Sequence, residues 1–344
     1  MISRKNNFDL IRLFASFQVL FGHGMKHLNI NSNKSIIVDF FGFFPGVLMF
    51  FTVSGFLIFS SLDRNKNLKK YFYNRFLRLF PALWGCFFFT LILLFSFKII
   101  NTSDLFSIPI IKWIFTQITF FQFWTPEILR SWGTGTPNGS LWTIAVEIQF
   151  YILLPIVVLS FRKIGLMYKF IFLSIGSVLF NIYISNLLEN GESNIVKLWG
   201  VSIFPYLYCF LSGAILYLCW PKIRNVIEGK AIYWLLIFLA FSLFTGNSPS
   251  YFPNNIQIIS NILLSILTIS LAYTLPNLGK ILKGNDISYG MYIYHMLVIN
   301  SLIAIGCVGQ VKYLLMAITL TIILSSLSWF FIEKKALSLK NKIK

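Results

Sequence analysis

Ten stretches of this chain run apolar for roughly 20 residues each, the length that carries a helix across a hydrocarbon core about 30 Å thick. They lie at about Phe8–Leu28, Val38–Ser61, Phe80–Ile100, Ser140–Phe161, Met167–Leu188, Leu198–Trp220, Ala231–Gly246, Ile256–Leu275, Ile287–Gly306 and Tyr313–Ile332. Charged residues make up 12% of the chain against about 25% in soluble domains, so a soluble fold is excluded as the default. The pattern predicts an all-α polytopic membrane helix bundle of about ten transmembrane helices. A single domain over residues 1–344 is expected, with no internal repeat or appended soluble domain. A further stretch, Pro109–Trp124, is shorter and interrupted by Lys112 and Gln117, and reads as a re-entrant or interfacial helix. Arg4 and Lys5 before the first span hint at a signal peptide. Asp9 and Arg12 interrupt that pattern and no small-residue cleavage site follows, so the segment reads as a retained span.

Lys and Arg number 29 against 11 Asp and Glu, a formal net charge of +18. In a soluble protein that excess would first suggest nucleic acid. In a membrane protein, the placement of Lys and Arg orients the chain instead. Ten spans put both termini on one side. With them lie Arg4, Lys5, six basic residues in Arg64–Arg78, three in Arg162–Lys169, three in Lys222–Lys230, Lys280, Lys283 and five in Lys334–Lys344, for 21 in all. The other side holds seven, Lys26, Lys34, Lys98, Lys112, Arg130, Lys197 and Lys312, and Arg12 lies inside a span. This split places both termini in the cytoplasm and makes membrane lipid, not nucleic acid, the expected partner. Counting Pro109–Trp124 as a span would put the basic tail outside, which disfavours eleven. The four cysteines sit in apolar runs with neither paired nor zinc-ligand spacing, so no metal is expected.

Ionisable side chains inside a span are costly and by default mark a functional site. Four stand out: Arg12, His23, Glu147 and His295. At 1.5 Å per residue, Arg12 lies roughly 6 Å into its span and His23 roughly 22 Å, while Glu147 enters about 10 Å from the outer face and His295 sits about 12 Å from the inner one. Turned inward, His23, Glu147 and His295 would share one cavity with Arg12 beneath it. Structural readings stand beside this one. Arg12 can pair with Asp9 at i, i+3 and snorkel to the interface. Glu147 can serve a buried arginine or a helix N-terminus. His295, after Tyr289, Tyr292 and Tyr294, can be a hydrogen-bonded core histidine. His23 is hardest to read as structural, because Gly22 and Gly24 let a backbone or ligand approach closely.

The basic segment after the second span has two readings. One is topology plus attraction to anionic lipid. The other starts from Arg75 and Arg78, which share a helix face at i, i+3; two guanidiniums so placed suit the phosphates of a cytoplasmic cofactor.

Six short patterns follow one another along the chain. Arg12 and His23 form a basic-x10-His pair, and Phe50-Phe51-Thr52-Val53-Ser54-Gly55-Phe56 lies in the second span. Arg75-Phe76-Leu77-Arg78-Leu79-Phe80-Pro81 follows, then Ser140-Leu141-Trp142-Thr143-Ile144-Ala145-Val146-Glu147-Ile148-Gln149-Phe150-Tyr151. Ile287-Ser288-Tyr289-Gly290-Met291-Tyr292-Ile293-Tyr294-His295 and Phe331-Ile332-Glu333 complete the series. In this order they resemble the acyltransferase family 3 membrane proteins, which include O-acetyltransferases of bacterial surface polysaccharides. One departure is Ile148, where many members carry a second acidic residue, which leaves Glu147 as the carboxylate of that stretch.

The resemblance implies an O-acetyltransferase of the bacterial cytoplasmic (inner) membrane. It would take an acetyl group from cytoplasmic acetyl-CoA and deliver it to a hydroxyl of an extracytoplasmic glycan, free or lipid-linked, through the membrane domain alone or with a separate partner. Arg75 and Arg78 are then expected to hold the phosphates of acetyl-CoA. His23 acts as general base or acyl carrier, and Glu147 orients its ring. Arg12 or His295 stabilises the oxyanion. Trp124, Trp132 and Trp142 are expected to stack on sugar rings. The rival reading is a secondary transporter with a proton relay through the same four ionisable residues. Against it, the chain shows no two halves with matching interrupted helices.

Overall fold

The computed structural model describes all residues except 1–5, 31–35, 161–162, 190, 192, 275, 277–281, 283 and 343–344. Arg4, Lys5, Lys34, Arg162, Lys280, Lys283 and Lys344 of the charge split, and the span ends Phe161 and Leu275, lie outside the described residues. Among the described residues there are helices and no strand. The helices are α1 (Phe8–His27), α2 (Ile36–Gly42), α3 (Gly46–Arg64), α4 (Leu68–Ser96), α5 (Ile108–Ile118), α6 (Trp142–Leu159), α7 (Leu166–Glu189) and α8 (Ser193–Trp199). They continue with α9 (Leu207–Ile227), α10 (Ala231–Thr245), α11 (Asn255–Thr274), α12 (Ser288–Ala304), α13 (Val311–Ser328) and α14 (Lys334–Ser338). A π-helical turn, Trp329–Glu333, joins the last two.

Among the described residues, seven of the helical segments are long and apolar enough to cross a bilayer. The other three expected spans are also helical. The first, α1, has 20 residues but carries Asp9, Arg12 and Lys26. The other two, α10 and α12, have 15 and 17 residues. The stretch expected to lie at the interface forms α5, whose 11 residues rise only about 16 Å. Its Ile110 and Trp113 are buried, while Ile108, Ile111 and Phe115 on the opposite face are exposed.

Two compact units are present, each assembled from separated segments. The first comprises Met1–Ala15, Phe40–Tyr71 and Val146–Gly284. Its centre is the packing of α3 on α9, made possible by glycine. A Cβ on Gly55 would lie 1.8 Å from the Phe210 carbonyl oxygen, and one on Gly213 would lie 2.0 Å from that of Thr52. Lipid offers no hydrophobic driving force between helices, so close backbone approach through small residues carries the packing. Phe210 is also stacked between Phe51 and Phe150, at 4.5 and 4.2 Å between ring centroids.

The second unit comprises Ser16–Asp39, Phe72–Ala145 and Asn285–Lys344. Here α12 packs on α13, with Gly290 set so closely against Ser325 that a Cβ would lie 2.9 Å from its Cα. Leu28, Met296, Ile299, Leu302, Leu314 and Ala317 form a buried apolar cluster beside this contact. The Tyr289 hydroxyl donates to the Leu79 carbonyl, 3.1 Å, tying α12 to α4.

Candidate active site

Within the second unit, α1 and α12 bring His23 against His295. Two features of α1 fit His23 to this place. Gly24 lies against α13, where a Cβ would come within 2.5 Å of Leu314 Cδ1, and Gly22 has nothing within 4 Å of its Cβ position. One flanking glycine therefore serves helix packing, and the other borders open space. His295 is fully buried, and its Nε2 lies 2.9 Å from His23 Nδ1. Its Nδ1 lies 2.7 Å from the Tyr292 carbonyl oxygen.

These contacts assign the protons. A carbonyl oxygen only accepts, so His295 Nδ1 carries a hydrogen and donates it. With one proton per ring, His295 Nε2 is then an acceptor, and His23 Nδ1 donates to it. The lone pair of His23 is thereby directed to Nε2. A base or nucleophile at that atom is what this arrangement can supply chemically.

The polar loop before α6 holds α12 in position. Asn138 Nδ2 donates to the Ile293 carbonyl at 2.7 Å. Ser140 Oγ donates to Asn138 Oδ1 at 2.8 Å, and Thr143 Oγ1 lies 2.6 Å from the Tyr292 hydroxyl. Further along α12, Asn300 Nδ2 donates to the carbonyls of Thr136 and Pro137, 2.9 Å each, and its Oδ1 accepts from the Thr134 amide at 2.9 Å. Gly133 makes this approach possible. Its φ is +57°, and a Cβ there would lie 2.3 Å from Asn300 Oδ1.

The arginine pair lies on α4 in the same unit. Arg78 forms a largely buried ion pair with Asp286, 2.5 Å, in which the side chains are 16% and 8% exposed. Asp286 also accepts from the amide of Ser288 at 3.2 Å and from its hydroxyl, which caps the start of α12. Arg75, one turn earlier, is half-buried. Glu333, of the closing motif, is 3% exposed and accepts from Ser328 Oγ at 3.1 Å.

Arg12 and Glu147 belong to the first unit. Arg12 pairs with Asp9 at 2.5 Å, the i, i+3 contact that the sequence allows. Glu147 Oε1 accepts from Ser54 Oγ at 2.8 Å and from the Tyr151 hydroxyl at 2.5 Å, which joins α3 to α6. His23 and His295 are in direct contact. His295, not Glu147, occupies the Nδ1 position of His23. The three tryptophans differ as well. Trp132 is 1% exposed and packs on Phe97 with ring centroids 5.9 Å apart, so it has no ring face free for a sugar. Trp124 and Trp142 are half-buried, with the Lys112 ammonium 4.8 Å over the ring of Trp124.

Asn138, Asn300 and Asp286 escaped the sequence reading. The signal for Asp286 was present, as an Asn-Asp pair just before an apolar helix is a start signal. The two asparagines carried none, since each acts on backbone more than 150 positions away. His27 was also passed over, although it stands one turn after His23, with ring centroids 5.6 Å apart.

The family model described as an acyltransferase domain matches residues 5–333. The chain is 30% identical to nodulation protein 10 of Rhizobium leguminosarum bv. viciae, covering 98% of this chain and 95% of that protein. It is 28% identical to the O-acetyl transferase of Shigella phage Sf6, covering 97% of each. It is 27% identical to the putative peptidoglycan O-acetyltransferase YrhL of Bacillus subtilis (strain 168), over 95% of this chain and 54% of that one. No solved structure matches.

Proposed function

Since the chain belongs to the acyltransferase 3 family, we propose that it is a membrane O-acetyltransferase that moves an acetyl group from cytoplasmic acetyl-CoA to a hydroxyl of an extracytoplasmic glycan. The names of the phage and Bacillus relatives support O-acetyl transfer. The observation that carries the reading is the Tyr292–His295–His23 chain, which directs a lone pair to His23 Nε2.

A hydroxyl is a poor nucleophile until its proton is removed as it attacks. In the direct route, His23 Nε2 takes that proton while the oxygen adds to the thioester carbonyl. The carbon–sulfur bond then breaks, and the proton passes to the departing sulfur. In the stepwise route, Nε2 attacks the thioester and carries the acetyl group itself. Either way a positive charge develops on His23, and His295 stabilises it by accepting from Nδ1. His295 therefore takes the orienting role expected of Glu147. Arg75 and Arg78 hold the donor's phosphates, with Asp286 fixing the Arg78 side chain. Trp124 and Trp142 present ring faces to the acceptor sugar. The apolar stretches and the distribution of Lys and Arg support an enzyme in the bacterial inner membrane with about ten spans and both termini in the cytoplasm.

Membranes containing the protein and its endogenous glycans, supplied with radiolabelled acetyl-CoA, test the proposal. Label enters the glycan as base-labile ester with the wild-type chain. His23→Ala accumulates in the membrane but transfers none. Wild-type transfer by His23→Ala removes His23 from the chemistry, and uptake of solute without glycan labelling would indicate a transporter.

A further inference from the structure

The chain has three histidines in 344 residues, and all three meet in one place. The ring of His23 lies 5.1 Å from that of His295 and 5.6 Å from that of His27. The two neighbours are unlike. His295 is fully buried, and both of its nitrogens are engaged. His27 is half-buried at the last position of α1, beside the exposed Lys26 and Asn29. Among the described residues no direct hydrogen bond joins His23 and His27. Their ring planes are inclined at 64° in an edge-to-face pair, and Gly22 on the same helix has nothing within 4 Å of its Cβ position.

We propose that His27 is a second catalytic base, which takes the proton of the acceptor hydroxyl while the acetyl group is held on His23. The inference rests on His23 as the reacting group and selects the stepwise route. In the first step His23 Nε2 bonds to the acetyl carbon and the carbon–sulfur bond breaks. The thiolate of CoA leaves and takes a proton from solvent. Acetyl-His23 keeps its Nδ1 hydrogen on His295, bears a positive charge, and has no lone pair left at Nε2. It therefore cannot deprotonate the acceptor. In the second step the oxygen of the hydroxyl adds to the acetyl carbon, and its proton goes to His27. The carbon–nitrogen bond then breaks, and its electron pair returns to Nε2. His27 releases the proton to solvent at the half-exposed end of α1. The sum is hydroxyl plus acetyl-CoA giving ester plus CoA. The three histidines thus divide the reaction among them, with His295 orienting, His23 carrying the acetyl group and His27 deprotonating the acceptor.

The test uses the full-length protein in membranes with radiolabelled acetyl-CoA, the endogenous glycan as acceptor, and a thiol reagent that follows CoA release. His27→Ala and the better-packing His27→Gln are expected to release a stoichiometric burst of CoA at the wild-type rate. Glycan acetylation then proceeds at least about 100-fold more slowly, the scale of a lost general base. Added imidazole, which can enter the vacated space, restores the steady rate of His27→Ala. A wild-type steady rate in both variants overturns the proposal. So does a slowed variant that lacks the burst or does not respond to imidazole, because loss of packing would impair both steps and accept no small base. Full activity in His23→Ala would instead remove the reading on which this one rests.

Discussion

Nε2 of His295 accepts a hydrogen bond from Nδ1 of His23 across 2.9 Å, although 272 positions separate the two residues in the chain. The bond matters because the other nitrogen of His295 is committed to a carbonyl, which leaves the pair one consistent arrangement of protons. It makes His295 the natural target for separating orientation from chemistry.

Replacing His295 by Phe removes the acceptor while keeping a ring in the buried site. Transfer to glycan should fall about 100-fold, the scale of a general base that has lost its support, with the KM for acetyl-CoA little changed. His295→Gln, which presents a carbonyl oxygen, should retain more activity than His295→Phe. Initial rates with labelled donor decide this, and equal loss in the two variants would argue against an accepting role.

The Arg78–Asp286 pair makes a second prediction, about stability and binding together. Removing one partner of a buried ion pair leaves an uncompensated charge and costs about 3–5 kcal/mol. Arg78→Met or Asp286→Leu alone should therefore lower the apparent unfolding temperature in detergent markedly, and the double variant should regain much of the loss. Acetyl-CoA binding should stay weak in the double variant, because apolar side chains cannot grip phosphate. Normal donor affinity there would show that Arg78 is purely structural.

Helix packing in the first unit is testable with glycine. Gly55→Ala puts a methyl group where the Phe210 carbonyl already lies, and should cost about 1–3 kcal/mol by overpacking. Gly176→Ala, on an exposed face of α7 with nothing within 4 Å, should be neutral or slightly stabilising through helix propensity. Comparison of apparent unfolding temperatures checks the contrast.

Much of the molecule was legible before any coordinates. The bilayer demands long apolar segments, so helices and their approximate limits follow from local composition, down to the short α5 between two longer ones. The Arg12–Asp9 pair was one of the two readings open to Arg12, since residues three apart on a helix share a face. The order of the six motifs identified the family, because each motif is contiguous or nearly so.

Partnerships between distant segments were not legible. Depth along a span gave His23, Glu147 and His295 expected levels in the outer and middle membrane, and depth says nothing about which way a side chain turns. Rotation of each helix about its axis is set by close contacts such as Gly24 on Leu314, Gly290 on Ser325 and Gly55 on Phe210. In the packed structure His295 lies at Nδ1 of His23, Glu147 accepts from Ser54 and Tyr151, and Trp132 is buried. By itself, then, the sequence determined that this is a membrane acyltransferase, because hydropathy and short motifs are local properties. Which histidine supports which was decided only by the tertiary structure, because a hydrogen bond depends on the packing of helices far apart in the chain.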